Sequence, residues 1–294
     1  MSNLKTYLQQ LRIKQWIKNA FVFLPLFFSG SLFETDALLK TIIAFFCFCF
    51  ASSAIYCLND IKDIDDDRNH LVKRLRPLAA GKIGIKSAVI LLILLSLCAI
   101  TTSFVLLNPA CAAIIVLYIL LNIAYSFKLK QIPIVDIFII AFGFVLRIFI
   151  DGMACDIYLS PWLVSMTFVL ALFLGAAKRY DDVVLQKQGI DIKRKVLSNY
   201  SKFFLSQIVS LLAIVVFICY LMYTLSADVV SRIGCDEIYI TSVFVLFGLM
   251  RYLQITFVKN KSGDPTSVVV NDIYIIFTLL GWLLSFFYFI YFYQ

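Results

Sequence analysis

Nine apolar stretches alternate with short polar segments along the chain, near positions 20–33, 38–58, 86–107, 110–127, 134–150, 162–177, 203–226, 238–257 and 273–292. A helix that crosses a bilayer needs roughly 20 mostly apolar residues. Most of these stretches meet that length, and the first is short. Lipid is therefore the solvent for most of the chain, and the pattern predicts an all-α polytopic membrane protein of nine transmembrane helices in one domain, 1–294. Ahead of the first stretch, Leu4, Tyr7, Leu8 and Leu11 recur at helical spacing, and Trp16 stands where aromatic belts sit. That predicts an interfacial helix over residues 1–18. A signal peptide is excluded by the lack of a small-residue cleavage site and by the eight apolar stretches that follow.

Composition agrees with this picture. Apolar residues make up 62% of the chain and charged residues only 15%, which excludes an ordinary soluble domain. Charge adds an orientation, because Lys and Arg gather in cytoplasmic loops. One side of the predicted topology carries 23 basic residues and the other only Lys40 and Arg232, with Arg147 inside a helix. The N-terminus is thus expected in the cytoplasm. The net charge of +8 reads as topology and contact with anionic lipid rather than as nucleic-acid binding. Eight scattered cysteines with no CxxC pair, and the single histidine His70, give no zinc pattern. Cys155 and Cys235 both fall in outward loops, which leaves a disulfide between them open.

Two cytoplasmic connections, 59–85 and 178–202, are longer and more polar than joining neighbouring helices requires. They follow the second and sixth helices, a spacing that hints at a pseudo-repeat. The first contains Asn59, Asp60, Asp63, Asp65, Asp66 and Asp67. If the helix continues through it, Asp60, Asp63 and Asp67 share one narrow face. Three adjacent carboxylates repel one another unless a hard cation joins them, and Mg²⁺ is typically held by a few carboxylates with water and phosphate oxygens. Asn59 flanks that face, suited to orienting a metal-bound water or a substrate hydroxyl, while Asp65 points away. Lys73, Arg74 and Arg76 follow at once, and cations beside a carboxylate cluster suit a diphosphate.

These residues resemble a known family. Asn59-Asp60-x-x-Asp63-x-x-x-Asp67, then Lys73-Arg74-x-Arg76-Pro77-x-x-x-Gly81, set among nine helices, is similar to the UbiA superfamily of intramembrane prenyltransferases. Within it the chain resembles the decaprenyl-phosphate phosphoribosyltransferase subgroup, through Gln15-Trp16-Ile17-Lys18-Asn19, His70-x-x-Lys73, Ala79-Ala80-Gly81, and Gly175-Ala176-Ala177-Lys178-Arg179-Tyr180. The resemblance implies a UbiA-like bundle with a cytoplasmic active site. It also implies Mg²⁺-dependent transfer of phosphoribosyl from 5-phosphoribosyl 1-diphosphate to a polyprenyl phosphate, with release of diphosphate. Asp60, Asp63 and Asp67 would hold the metal, with Asn59 beside them. Lys18, Lys73, Arg74, Arg76, Tyr125, Lys128, Lys178, Arg179 and Tyr180 are the implied substrate contacts. The superfamily's second Asp-x-x-x-Asp motif is incomplete here, since Gln186 stands four residues after Asp182, which leaves Asp182 as the implied second metal contact and argues against a full second metal site.

Lys128 and Lys130 fit either the lipid phosphate or interfacial anchoring by snorkelling. Arg147, inside a span and one turn from Asp151, is expected to pair with it, because an ionisable group in a membrane is costly unless paired. An aromatic or quinone-type prenyltransferase would use the same aspartates on a prenyl diphosphate. A transporter would show Gly- or Pro-broken helices and midplane charge, whereas the charges here concentrate at the cytoplasmic edge.

Overall fold

The computed structural model of the chain describes residues 2–69, 73–188 and 195–293; His70 and residues 189–194 lie outside them. The described residues form thirteen α-helices: α1 Ser2–Leu11, α2 Leu24–Ser29, α3 Thr35–Lys62, α4 Ile64–Arg68, α5 Ile85–Leu106, α6 Pro109–Phe127, α7 Val135–Cys155, α8 Pro161–Lys187, α9 Lys202–Leu225, α10 Ala227–Ile233, α11 Ser242–Gln254, α12 Pro265–Asn271 and α13 Ile273–Tyr291. Eight segments among the described residues are long and apolar enough to cross a membrane: α3, α5, α6, α7, α8, α9, α13, and Asp236–Lys259, which contains α11.

The ninth expected span, 20–33, takes a different form. Ile13–Phe23 is a 3-10 helix that passes directly into the six-residue α2. Pro25 has no amide hydrogen to continue an α-helical ladder through this stretch, and Gly30, at φ 84°, ends it. The expected interfacial helix is also shorter than 1–18. It stops at Leu11 because Arg12 adopts a left-handed backbone, φ 53° and ψ 48°.

The chain divides into two compact units. One comprises 1–27, 31–130 and 146–157. Its core is built on α3, whose buried face carries Ala44, Cys47, Phe48, Ala51 and Ile55 against Val22, Ala99, Cys111, Ile115 and Tyr118. Small residues along α3 let neighbouring backbones come close, which is how helices associate where lipid removes the hydrophobic driving force. α5 instead exposes Ile90, Ile93, Leu94 and Leu97, as a lipid-facing helix does. The other unit comprises 28–30, 131–145 and 158–294. Its core joins Ala171, Phe173, Ala176 and Ala177 of α8 to Val209, Ala213 and Val216 of α9 and to Leu249 and Tyr252 of α11. Gly175 of α8 lies so close to Ile137 of α7 that a Cβ there would stand 2.7 Å from the Ile137 Cγ2.

The expected Arg147–Asp151 pair gives way to two separate networks in the first unit. Asp151 accepts from the Leu26 amide at 3.1 Å and the Thr41 hydroxyl at 2.6 Å. Arg147 donates from Nε to Asn19 Oδ1 at 2.8 Å and lies over the rings of Phe48 and Tyr118. All eight cysteines are free thiols.

Candidate active site

The acidic segment begins inside α3 and ends in α4, with a break at Asp63, whose backbone (φ −98°, ψ 16°) closes one helix and caps the next. The helix therefore does not continue unbroken through this motif, the condition on which the three would share one face. The consequence is a division of labour among the three carboxylates. Asp60 and Asp67 are each 2% exposed, whereas the Asp63 side chain is 35% exposed and turned to another partner. Asp65 is almost fully exposed, in keeping with a solvated position.

Burying two carboxylates requires compensation, because an isolated buried charge is strongly unfavourable. Arg76 supplies it from the segment beyond α4. Its Nη1 donates to Asp60 Oδ1 at 3.2 Å and to Asp67 Oδ2 at 2.5 Å, so one guanidinium nitrogen stands between both carboxylates. Lys73 Nζ lies 4.0 Å from Asp67 Oδ1. On the opposite flank α1 docks on α3. Arg12 pairs with Asp60 Oδ1 and lies over the ring of Tyr56, and Gln10, fully buried, donates to Asp60 Oδ2 at 2.9 Å. Trp16 Nε1 donates to the Ser53 hydroxyl, which in turn donates to the Leu11 carbonyl, and so fixes the turn that follows α1.

Asp63 is held from the C-terminal side of α6. Lys130 Nζ meets its two oxygens at 2.8 and 3.2 Å. Ser126 donates to Asn59 Oδ1 at 2.5 Å, and Lys62 donates to the Ser126 carbonyl. Asn59 is therefore oriented by α6, and the segment from Asn59 to Asp67 is tied on both sides. Of the other expected contacts in this unit, Lys18 and Tyr125 are half-buried, while Arg74 and Lys128 are exposed.

No three His, Cys, Asp or Glu side chains among the described residues converge as a ready metal cage. The donor chemistry nevertheless suits a hard cation. Asp60 and Asp67 aim carboxylate oxygens at one shared point, occupied by a positive nitrogen, and hard oxygens are the ligands that Mg²⁺ prefers. Asp63, by contrast, is turned to Lys130 rather than to that point.

The second polar segment lies in the other unit. Arg179, 2% exposed, donates from Nε to Asp136 Oδ2 at 2.6 Å and from Nη1 to Asp182 Oδ2 at 3.4 Å. Tyr200 donates to Asp136 Oδ1 at 2.8 Å and accepts from the Ile134 amide at 2.6 Å. Burial pushes the Tyr200 hydroxyl up from its ordinary value, so it remains a donor. Tyr180 is buried with its ring edge-on to Phe257, and Lys178 is half-buried. Asp181 accepts from the Gly263 amide at 2.6 Å. Arg179, Asp182 and Tyr180 are thus drawn into a packed network inside this unit.

Gln10, Arg12, Asp136 and Tyr200 were not among the residues expected from sequence. Arg12 reads there as one more topological cation. Gln10 lies on the polar side of a short amphipathic helix, and only the docking of α1 on α3 gives it a role.

A profile described as the UbiA prenyltransferase family matches residues 20–269. A decaprenyl-phosphate phosphoribosyltransferase of Corynebacterium glutamicum is 31% identical over 278 residues, covering 94% of this chain and 83% of that protein. Another, from Mycolicibacterium smegmatis, is 31% identical over 287 residues, covering 94% and 89%. Among solved structures, a UbiA homolog from Archaeoglobus fulgidus bound to GPP and Mg²⁺ superposes with a TM-score of 0.71 at 18% identity, covering 97% of this chain and 99% of that one.

Proposed function

The chain belongs to the UbiA prenyltransferase family, is an integral multi-pass membrane enzyme of that type, and on this ground we propose that it transfers phosphoribosyl from 5-phosphoribosyl 1-diphosphate to a polyprenyl phosphate. The observation that carries the reading is the interleaving of Asp60, Asp63 and Asp67 with Arg12, Arg76 and Lys130. Acidic and basic groups in one cluster match a metal-bound diphosphate, which presents a cation to the carboxylates and anionic oxygens to the basic side chains. The named relatives, matched over 94% of this chain, supply the choice of donor and acceptor.

In this reading the bond between ribose C1 and the diphosphate oxygen breaks, and a bond between C1 and an oxygen of the polyprenyl phosphate forms. The electron pair leaves with diphosphate. The acceptor is already ionised at neutral pH, so no proton has to be removed. Asp60 and Asp67 would hold Mg²⁺ at the point they share, joined by Asp63 where it turns from Lys130, and the metal would supply charge neutralisation on the departing diphosphate. Asn59 stays oriented beside them through Ser126. Arg76 and Lys73, with Arg74 at the exposed edge, are assigned to the diphosphate oxygens, and fixed cations there lower the barrier because they need no reorganisation as charge develops. Lys18, Tyr125 and Lys128 are assigned to the acceptor side of the same unit. The bias of basic residues supports a cytoplasmic face for this cluster.

The test is incubation of the purified protein in detergent with ribose-labelled 5-phosphoribosyl 1-diphosphate, Mg²⁺ and a polyprenyl phosphate. Label entering the organic phase, lost in Asp63→Asn, is the expected result. Turnover of a prenyl diphosphate with an aromatic acceptor, and none of the ribosyl donor, would replace the donor assignment.

A further inference from the structure

We propose that Gln10 reads the sugar of the donor, its side-chain carbonyl accepting a hydrogen bond from a ribose ring hydroxyl. The proposal rests on the phosphoribosyl reading above and adds to it a specificity-determining residue from α1.

The side chain of Gln10 has an incomplete set of hydrogen bonds. Gln10 is fully buried, and its amide nitrogen donates to Asp60 Oδ2 at 2.9 Å, with the Cys57 sulfur 4.0 Å away. This contact fixes which way round the amide sits, because the reversed amide would turn its oxygen against a carboxylate. Oε1 is thereby left buried with no hydrogen-bond partner. Buried acceptors without partners are rare and unfavourable in folded proteins, and this one is attached to the amide that touches Asp60.

The chemistry of the missing partner is narrow. Besides Gln10 itself, the donors to Asp60 are Arg12 and Arg76, and both are engaged with its Oδ1. Phosphate and diphosphate oxygens are acceptors, and a prenyl chain has no donor at all. A neutral hydroxyl fits a carbonyl oxygen, and the ribosyl donor carries two on its ring. Selection of this kind is strong, since a site built to bond a hydroxyl rejects the analogue that lacks it by far more than an apolar pocket discriminates between similar shapes.

The experiment compares 5-phosphoribosyl 1-diphosphate with its 2-deoxy and 3-deoxy analogues in the full-length protein and in Gln10→Met. In the wild type, kcat/KM for at least one analogue is expected to fall by about 100-fold relative to the ribosyl donor. In Gln10→Met the ratio should shrink to within about threefold, whatever loss common to both donors follows from removing the bond to Asp60. A purely structural role would lower both donors together and keep the ratio, which overturns the proposal. So does a wild type that accepts both deoxy donors as well as the ribosyl donor, the result expected if a buried water completes Oε1. Should Gln10→Met not fold, inhibition constants of the fluorinated analogues on the wild type decide. Fluorine accepts but does not donate, so the relevant fluoro analogue should bind as weakly as its deoxy counterpart, and recovery of ribosyl-like binding would refute donation to Gln10. Absence of any ribosyl transfer by the wild type, with turnover of a prenyl diphosphate, would instead remove the underlying reading.

Discussion

The ammonium of Lys130 holds both carboxylate oxygens of Asp63, at 2.8 and 3.2 Å, across the 67 residues that separate them in sequence. Both side chains are partly exposed, 27% and 35%, so the pair contributes little to stability, about 1 kcal/mol or less. Its value is positional, because it fixes the orientation of Asp63 within the Asn59–Asp67 segment. Lys130→Gln is therefore expected to leave the thermal midpoint in detergent nearly unchanged and to lower phosphoribosyl transfer at least tenfold, with Lys130→Arg retaining most of it. Steady-state kinetics alongside thermal unfolding check this. Equal loss of stability and activity would contradict it.

Arg76 Nη1 stands between Asp60 and Asp67 as their shared counter-ion. Removing it leaves two buried carboxylates facing one another with only Arg12 and Lys73 nearby, and breaking a buried pair typically costs about 3 kcal/mol. Arg76→Gln is expected to lower the thermal midpoint by several degrees. A divalent cation that takes the vacated position binds the folded state alone and stabilises it by mass action. Millimolar Mg²⁺ should accordingly raise the midpoint of Arg76→Gln more than that of the wild type. A variant that responds to Mg²⁺ no more than wild type would count against Asp60 and Asp67 as metal ligands.

The sequence made these three aspartates legible because their spacing is unusual in a loop whose topology predicts basic residues. Lys73 and Arg76 were legible through their adjacency to that cluster, and the all-α membrane architecture followed from the length of the apolar stretches alone. The break at Asp63 was not legible, since nothing in Asp-Ile-Lys-Asp-Ile-Asp marks one residue for a cap. Nor was the role of α1: its apolar spacing suggests a helix lying on lipid, while Gln10 and Arg12 acquire meaning only when α3 is packed beside them. The Arg147–Asp151 expectation relied on proximity along one helix, and failed because Asn19, Thr41 and the Leu26 amide offered each group a partner from another segment.

Asp272 stands just before α13, where it accepts from Arg251 Nε at 3.1 Å and Nη2 at 2.7 Å and from the Ile275 amide at 3.3 Å. The hydrogen bond from Arg251 holds its carboxyl below the usual range. With the folded value depressed, the pair contributes stability that is present above about pH 4, the ordinary aspartate value, and lost as pH falls through the folded value. Asp272→Asn should thus lower stability at pH 7 by about 1 kcal/mol and flatten the acid limb of the stability profile below about pH 4. Thermal midpoints at pH 7 and pH 3.5 for both proteins measure the difference, and an unchanged acid limb would show that the loss arises elsewhere.

Gly175 faces Ile137 with no room for a methyl group. A Cβ at position 175 would lie 2.7 Å from the Ile137 Cγ2, closer than carbon atoms approach, and 3.8 Å from its Cβ. Ile137 is itself 7% exposed and branched at Cβ, so its methyl has few staggered positions to retreat to. Gly175→Ala is expected to force the two helices apart and to destabilise the protein by about 1–3 kcal/mol, the usual range for overpacking. The loss should exceed the modest gain that alanine brings to a helix interior. Shortening the opposing side chain tests the cause, because Ile137→Ala in the same protein removes the methyl that collides. The double variant should then recover a large part of what Gly175→Ala loses, giving a favourable coupling between the two sites. Strict additivity would mean that the clash is relieved by backbone movement elsewhere along α8.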